Sequence, residues 1–193
     1  MLPGLAASRA LLRESAEVTR QSWPAAQSYL LSYRSRWRGI QEIGRWLDQW
    51  VDHHVPEAAP LFVFAFILGG AALPYAPKLV ARARRVVVLR SRFQEGVPRR
   101  LCQIFSRPGA ALLFGRSMAD LGRPPFWPPG FSLPCPRLTL VETLPTRHAA
   151  FLRVARLTDA DLGIADYKEV AIDHIAAYRS ASLFHLAVDW LKG

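Results

Sequence analysis

Between Glu57 and Lys78 the chain carries no charged residue: Ala58 to Pro77 reads AAPLFVFAFILGGAALPYAP. Twenty residues at about 1.5 Å each span about 30 Å as a helix, the hydrocarbon thickness of a bilayer. The stretch therefore predicts a transmembrane helix over 58–77. Pro56 and Pro60 suit a first helical turn. Pro74 and Pro77 withhold donors from the carbonyls of Gly70 and Leu73, so the helix should kink there. Ala65, Gly69 and Gly70 form a small-residue patch for close helix packing. The uninterrupted apolar run, Leu61 to Leu73, is thirteen residues long, a length that also suits a helix buried in a protein core.

Charge places the stretch in context. Residues 1–57 hold seven Arg against six acids, residues 78–123 hold eleven Lys and Arg against Glu95 and Asp120, and residues 124–193 balance seven against seven. The basicity thus belongs to one segment directly after the apolar stretch. Cations just beyond a span mark the cytosol-like side and bind anionic lipid. Lys78, Arg82, Arg84 and Arg85 are the candidate headgroup ligands, with cardiolipin as the lipid. Residues 1–13 hold two Arg and no acid, in the manner of a mitochondrial presequence, although Glu14 and Glu17 follow. The combination predicts a single-pass protein of the mitochondrial inner membrane with its carboxy-terminal side in the matrix.

Around the stretch, residues 9–22 read as a short helix ending at the Trp23–Pro24 step. A second helix is expected over 28–54, with Tyr29, Tyr33, Trp37, Ile40, Gly44, Leu47 and Val51 on one stripe. Trp37, Trp46 and Trp50 fit an interfacial belt. Residues 78–95 continue as helix, or form a short strand at Val86–Leu89, where β-branched residues favour extended chain. Six prolines in the fourteen positions 123–136 impose an extended strap, anchored by Phe126 and Trp127. Leu138–Thr143 is the best strand candidate. Thr158 with Asp161 resembles a capping box, opening a helix towards Leu191 with a break near Gly163. Trp190 sits in its apolar last turns, which should be buried against another element.

The expected class is therefore mainly α. Amphipathic interfacial helices (1–57) precede a kinked transmembrane helix (58–77). A basic juxtamembrane helical segment (78–122), a proline-rich strap (123–145) and a carboxy-terminal helical region (146–193) follow.

Chemistry is harder to find. No HExxH, CxxC, EF-hand, GxSxG, GxGxxG or Walker A pattern occurs, and Cys102 and Cys135 read as two free thiols. His53 and His54 are adjacent and point about 100° apart on a helix, poor geometry for chelation. No metal, cofactor or small-molecule substrate is expected, and the chain is read as no enzyme. It is read instead as a structural subunit of an energy-transducing membrane complex, an ATP synthase or respiratory-chain complex. Such a subunit would bridge neighbouring subunits and hold lipid. The alternative is a soluble basic component of an organellar ribonucleoprotein, with the arginines of 78–123 on RNA phosphates. An enzyme reading would revive on a pocket lined by His148 or His174 with acids nearby.

Overall fold

The computed structural model describes residues 1–2, 9–123 and 125–193, without the side chain of Arg9. Residues 3–8 of the presequence-like segment and Pro124 of the strap lie outside that description. In chain order the elements are α1 (Arg9–Ser22), α2 (Ile40–His54), β1 (Leu61–Phe66), α3 (Ile67–Ala72), a 3-10 turn (Leu73–Tyr75) and α4 (Pro77–Arg82). There follow β2 (Ala83–Ser91), α5 (Gly96–Phe114), α6 (Arg116–Leu121), β3 (Arg137–Glu142), α7 (Arg147–Phe151) and α8 (Asp159–Leu162). The chain ends in β4 (Lys168–Val170), α9 (His174–Ala177) and α10 (Ala181–Lys192). The four strands form one parallel sheet in the order β1-β2-β3-β4, and Leu2 adds a parallel bridge to Ala65 outside β1.

The uncharged stretch is thus a buried strand followed by buried helix, and the predicted transmembrane helix does not form. Among the described residues no helix is long and apolar enough to cross a membrane. The mainly α class and the single-pass inner-membrane placement are corrected with it. The reason lies in how a parallel strand is covered. With helices on both faces, such a strand reads as a continuous apolar run with no polar alternation. In β1, Phe64 and Phe66 pack with Val87, Leu89 and Leu140 on one face. Val63 and Ala65 pack with Val86 and Val88 on the other. Helices α1 and α10 supply the first layer and α2, α3 and α4 the second. The sheet is therefore the middle of an α/β/α sandwich. Phe66, Leu68 and Leu73 are fully buried, each worth about 1.5–3 kcal/mol of removed apolar surface.

Other elements follow their local signals. The helix α1 spans the residues expected of it. Residues 28–39 stay outside α2, which starts at Ile40 after Gly39, whose N–H bonds the Glu42 carboxylate at 2.8 Å. The short strand at Val86–Leu89 is the core of β2, and Leu138–Thr143 is β3 with its bounds moved by one residue. The Thr158–Asp161 capping box closes around α8. The helix expected from there to Leu191 is broken into α8, β4, α9 and α10. Gly163 ends α8 in the left-handed conformation (φ 63°), and Asp173 and Ser180 cap new helix starts.

The small-residue patch does serve close packing, inside the protein. A Cβ on Gly69 would lie 2.7 Å from the Leu2 carbonyl oxygen, and one on Gly70 would lie 2.9 Å from Val88. Ala65 is fully buried and pairs with Val88.

Candidate functional site at the carboxyl edge of the sheet

In open α/β sheets, ligands and catalytic groups gather beyond the carboxyl ends of the strands. Here those ends are Phe66, Ser91, Glu142 and Val170, with Ser91 in register with Glu142 and Glu142 with Val170. The chain turns from β1 into α3 at Phe66–Ile67 and from β4 into α9 at Asp173–His174. Three charged groups concentrate on this edge.

The first is an acid–imidazole pair. Glu142, the last residue of β3, is fully buried. Its carboxylate lies 2.9 and 3.2 Å from Nδ1 of His174, the first residue of α9. With Glu142 ionised the carboxylate only accepts, and Nδ1–H is then the donor. Burial raises the Glu142 carboxyl above its ordinary range, against the opposing pull of His174 and hydrogen bonds from His174 and Ser91. Burial alone would lower His174, but the charge and hydrogen bond of Glu142, together with the charges of Glu95 and Asp173, hold the imidazole above its ordinary value. The ring packs edge-on against Phe66 and Tyr178, at centroid distances of 6.0 and 5.4 Å. An imidazole oriented by a carboxylate is the general-base half of a nucleophilic site.

The second group neutralises itself. Arg90 and Glu95 form a bidentate pair at 2.6 and 2.7 Å, with side chains only 3% and 8% exposed. Arg90 also donates to the Leu162 carbonyl at 3.0 Å, and its Cζ lies 3.6 Å from the Phe126 ring centroid. The third is Arg92, which bonds Glu169 (2.8 Å), Tyr167 (2.8 Å) and the Leu157 carbonyl (3.1 Å), and pairs with Asp159 at 2.8 Å. Burial opposes its charge, yet these partners raise its pKa further and lower that of Asp159.

What would complete the first group is a nucleophile. In the strand–turn–helix arrangement that presents one, the reactive side chain sits on a strained turn at the strand tip. The corresponding tip of β1 carries Ile67, 4% exposed. The turn is relaxed: Phe66 has φ −80° and ψ 159°, and Ile67 enters α3 without a positive φ. The cavity beside Ile67, lined also by Glu95, Leu121 and Phe126, holds about 10 Å³, room for a single water at most. A larger cleft of about 510 Å³ opens between the start of α2, α6 and the strap, beside Glu42, Arg45, Tyr75, Arg116 and Asp120. Its polar groups are partly spent: Glu42 pairs with Arg116 at 3.3 Å and Asp120 accepts the Ile40 N–H at 3.0 Å. No group of three or more His, Cys, Asp or Glu side chains suited to a metal occurs among the described residues.

The residues singled out from sequence are dispersed. Lys78 pairs with Asp52 at 2.5 Å. Arg82 donates to the carbonyls of Val55 (3.0 Å) and Pro56 (2.7 Å) at the end of α2, a helix C-cap. Arg85 donates to the Trp190 carbonyl at 2.6 Å and lies over that ring, while Arg84 is exposed. These cations do not converge on one headgroup site. Trp46 and Trp50 pack on Tyr33 and Tyr29. Trp127 donates its indole N–H to the Gly70 carbonyl at 2.8 Å, tying the strap to α3. Trp37 is 70% exposed. Sequence spacing missed Glu142, Arg90 and Glu95. The usable signals were the acid ending the run LTLVE and the Asp173–His174 step just after a strand-like KEV.

Fold and edge together define a parallel α/β protein with a buried acid–imidazole pair. The tip of β1 carries Ile67, and the Ser91 hydroxyl at the tip of β2 is buried and held by Glu142 and the Phe93 and Gln94 N–H groups. Comparison with family models finds no match, and none of the curated proteins or solved structures matches significantly.

Proposed function

We propose that this protein is a catalytically silent α/β module, laid out like an α/β hydrolase and acting by binding. In such hydrolases the nucleophile rides on a strand-to-helix turn, and the acid and histidine follow on later strand ends in that chain order. Here the order is Ile67, Glu142, His174. Arrangement alone is fold-level analogy. The observation that carries the reading is Ile67, an unreactive side chain on a relaxed turn, faced by a void of about 10 Å³. An imidazole without a reactive nucleophile or an open substrate channel serves as a structural hydrogen-bond partner. The reading keeps a non-catalytic component of a larger assembly, with other protein subunits as partners, and needs no membrane span. RNA binding through residues 78–123 has less to work with, because Arg82, Arg85, Arg90 and Arg92 are committed to internal partners.

Steady-state hydrolysis of p-nitrophenyl butyrate and of a short acyl thioester tests this. The expected rate for the purified protein equals the buffer background. A rate above background that His174→Gln abolishes, with the circular dichroism spectrum retained, overturns the reading.

A further inference from the structure

Nine large hydrophobic side chains are exposed among the described residues, and seven of them cluster. Ile104, Phe105, Leu112, Leu113 and Phe114 belong to α5, whose path breaks at Ser106 (φ 59°) so that its two halves fold towards each other, with Phe105 and Phe114 rings 5.6 Å apart. Phe151, 85% exposed, sits on α7, which packs on the first half of α5 through Ala149, Val97 and Leu101. Trp37 follows Arg36, whose carbonyl accepts the Arg116 N–H at 3.0 Å where α5 meets α6. These three segments make one surface.

The segments that form it are basic, and acids from other elements meet their arginines at Arg116 (Glu42), Arg156 (Glu169) and Arg99 (beside Asp161) among the described residues. Residues 23–41, 96–119 and 143–158 contain no Asp or Glu, yet hold ten Arg. Arg36, Arg99, Arg100, Arg107, Arg147 and Arg153 make no ion pair among the described residues. Arg107, next to the break in α5, has its Nε shielded from solvent without a hydrogen-bond partner.

We infer that this α5–α7 surface docks on an anionic lipid bilayer, with the break in α5 as the inserting edge. The occupant follows from complementarity. Exposed aliphatic and aromatic tips among arginines without ion pairs match the boundary between acyl chains and anionic headgroups. Leu112, the most exposed tip of α5 at 79%, lies with Leu113 and Ile104 among the aromatic rings, and such aliphatic tips gain more from acyl chains than from the faces of nucleic-acid bases. The contact is peripheral, and it stands independently of the catalytic silence of the carboxyl edge.

Cosedimentation with vesicles tests it. The wild-type protein is expected to pellet with phosphatidylcholine vesicles containing phosphatidylserine, and to stay in solution with phosphatidylcholine alone. Leu112→Glu/Leu113→Glu should abolish pelleting with the melting temperature unchanged. Arg100→Ala should weaken it about fivefold at low salt. Lys78→Ala, on the segment first assigned to lipid, should pellet as the wild type does. Failure of the wild type to pellet, equal pelleting with neutral vesicles, or pelleting unchanged in the double variant would each overturn the inference.

Discussion

Two charged regions of this molecule use arginine in opposite ways. At the carboxyl edge, Arg90 and Arg92 are almost wholly buried, and every guanidinium meets carboxylates and carbonyls of its own chain. On the α5–α7 surface Arg36, Arg100, Arg147 and Arg153 are exposed, make no ion pair among the described residues, and are interleaved with exposed Leu and Phe. The difference separates folding from binding. A buried charge must be satisfied internally or it destabilises the fold, so a complete internal network leaves nothing for a ligand. An exposed set of one sign destabilises little and remains available to a partner. Part of the arginine excess, 22 against three lysines, therefore serves stability, where a planar fork that bonds bidentately is needed.

The sharpest way to break the comparison is to remove one partner at the carboxyl edge. Arg90→Leu leaves Glu95 buried and unpaired and should cost about 3–5 kcal/mol in urea unfolding. A loss below about 1 kcal/mol would mean that the edge is wetter than described. Close packing beneath the sheet comes next. A Cβ on Gly44 would meet the Tyr75 carbonyl oxygen at 2.6 Å, so Gly44→Ala should cost about 1–3 kcal/mol.

The Glu142–His174 pair gives a smaller, pH-dependent effect. His174 titrates above its ordinary 6.5 in the folded state. The stability it contributes is fully present below that value and is lost as pH rises through the folded one. Glu142 titrates above its ordinary 4.5, so the folded state also holds that proton longer than the unfolded chain. Both shifts have the same sign, and stability should fall as pH rises from about 5 to 8. In His174→Gln that fall should flatten. An identical slope in wild type and variant would show that the pair does not titrate with folding. Smallest of all, Leu112→Glu/Leu113→Glu should change stability by no more than about 0.5 kcal/mol. A larger loss would place those leucines in the core and erase the contrast.

Much of the local structure was legible. The residues of β2 and β3 announce themselves by β-branched runs, α1 by its stop at Trp23–Pro24, and α8 by its Thr158 cap. The strand β1 was not legible, because a parallel strand covered on both faces loses its alternation. Joined to the buried α3, it imitates a membrane span. The alternation of Phe62, Phe64 and Phe66 against Val63 and Ala65 was present, but all five positions are apolar. The edge pairs were hidden for a different reason. Glu142 and His174 are 32 residues apart, and only the parallel register brings them together. Arg90 and Glu95 are five apart, across a strand end that sequence spacing does not locate.

The central claim is that the acid–imidazole pair of the carboxyl edge serves no reactive nucleophile, with Ile67 at the tip of β1 and the Ser91 hydroxyl buried against Glu142. Intact-protein mass measurement after incubation with an excess of a fluorophosphonate tests it most directly. The account predicts an unmodified mass for the wild-type chain, before and after prolonged incubation. A stoichiometric adduct, mapped to a residue at the strand ends and lost in His174→Gln, would contradict it.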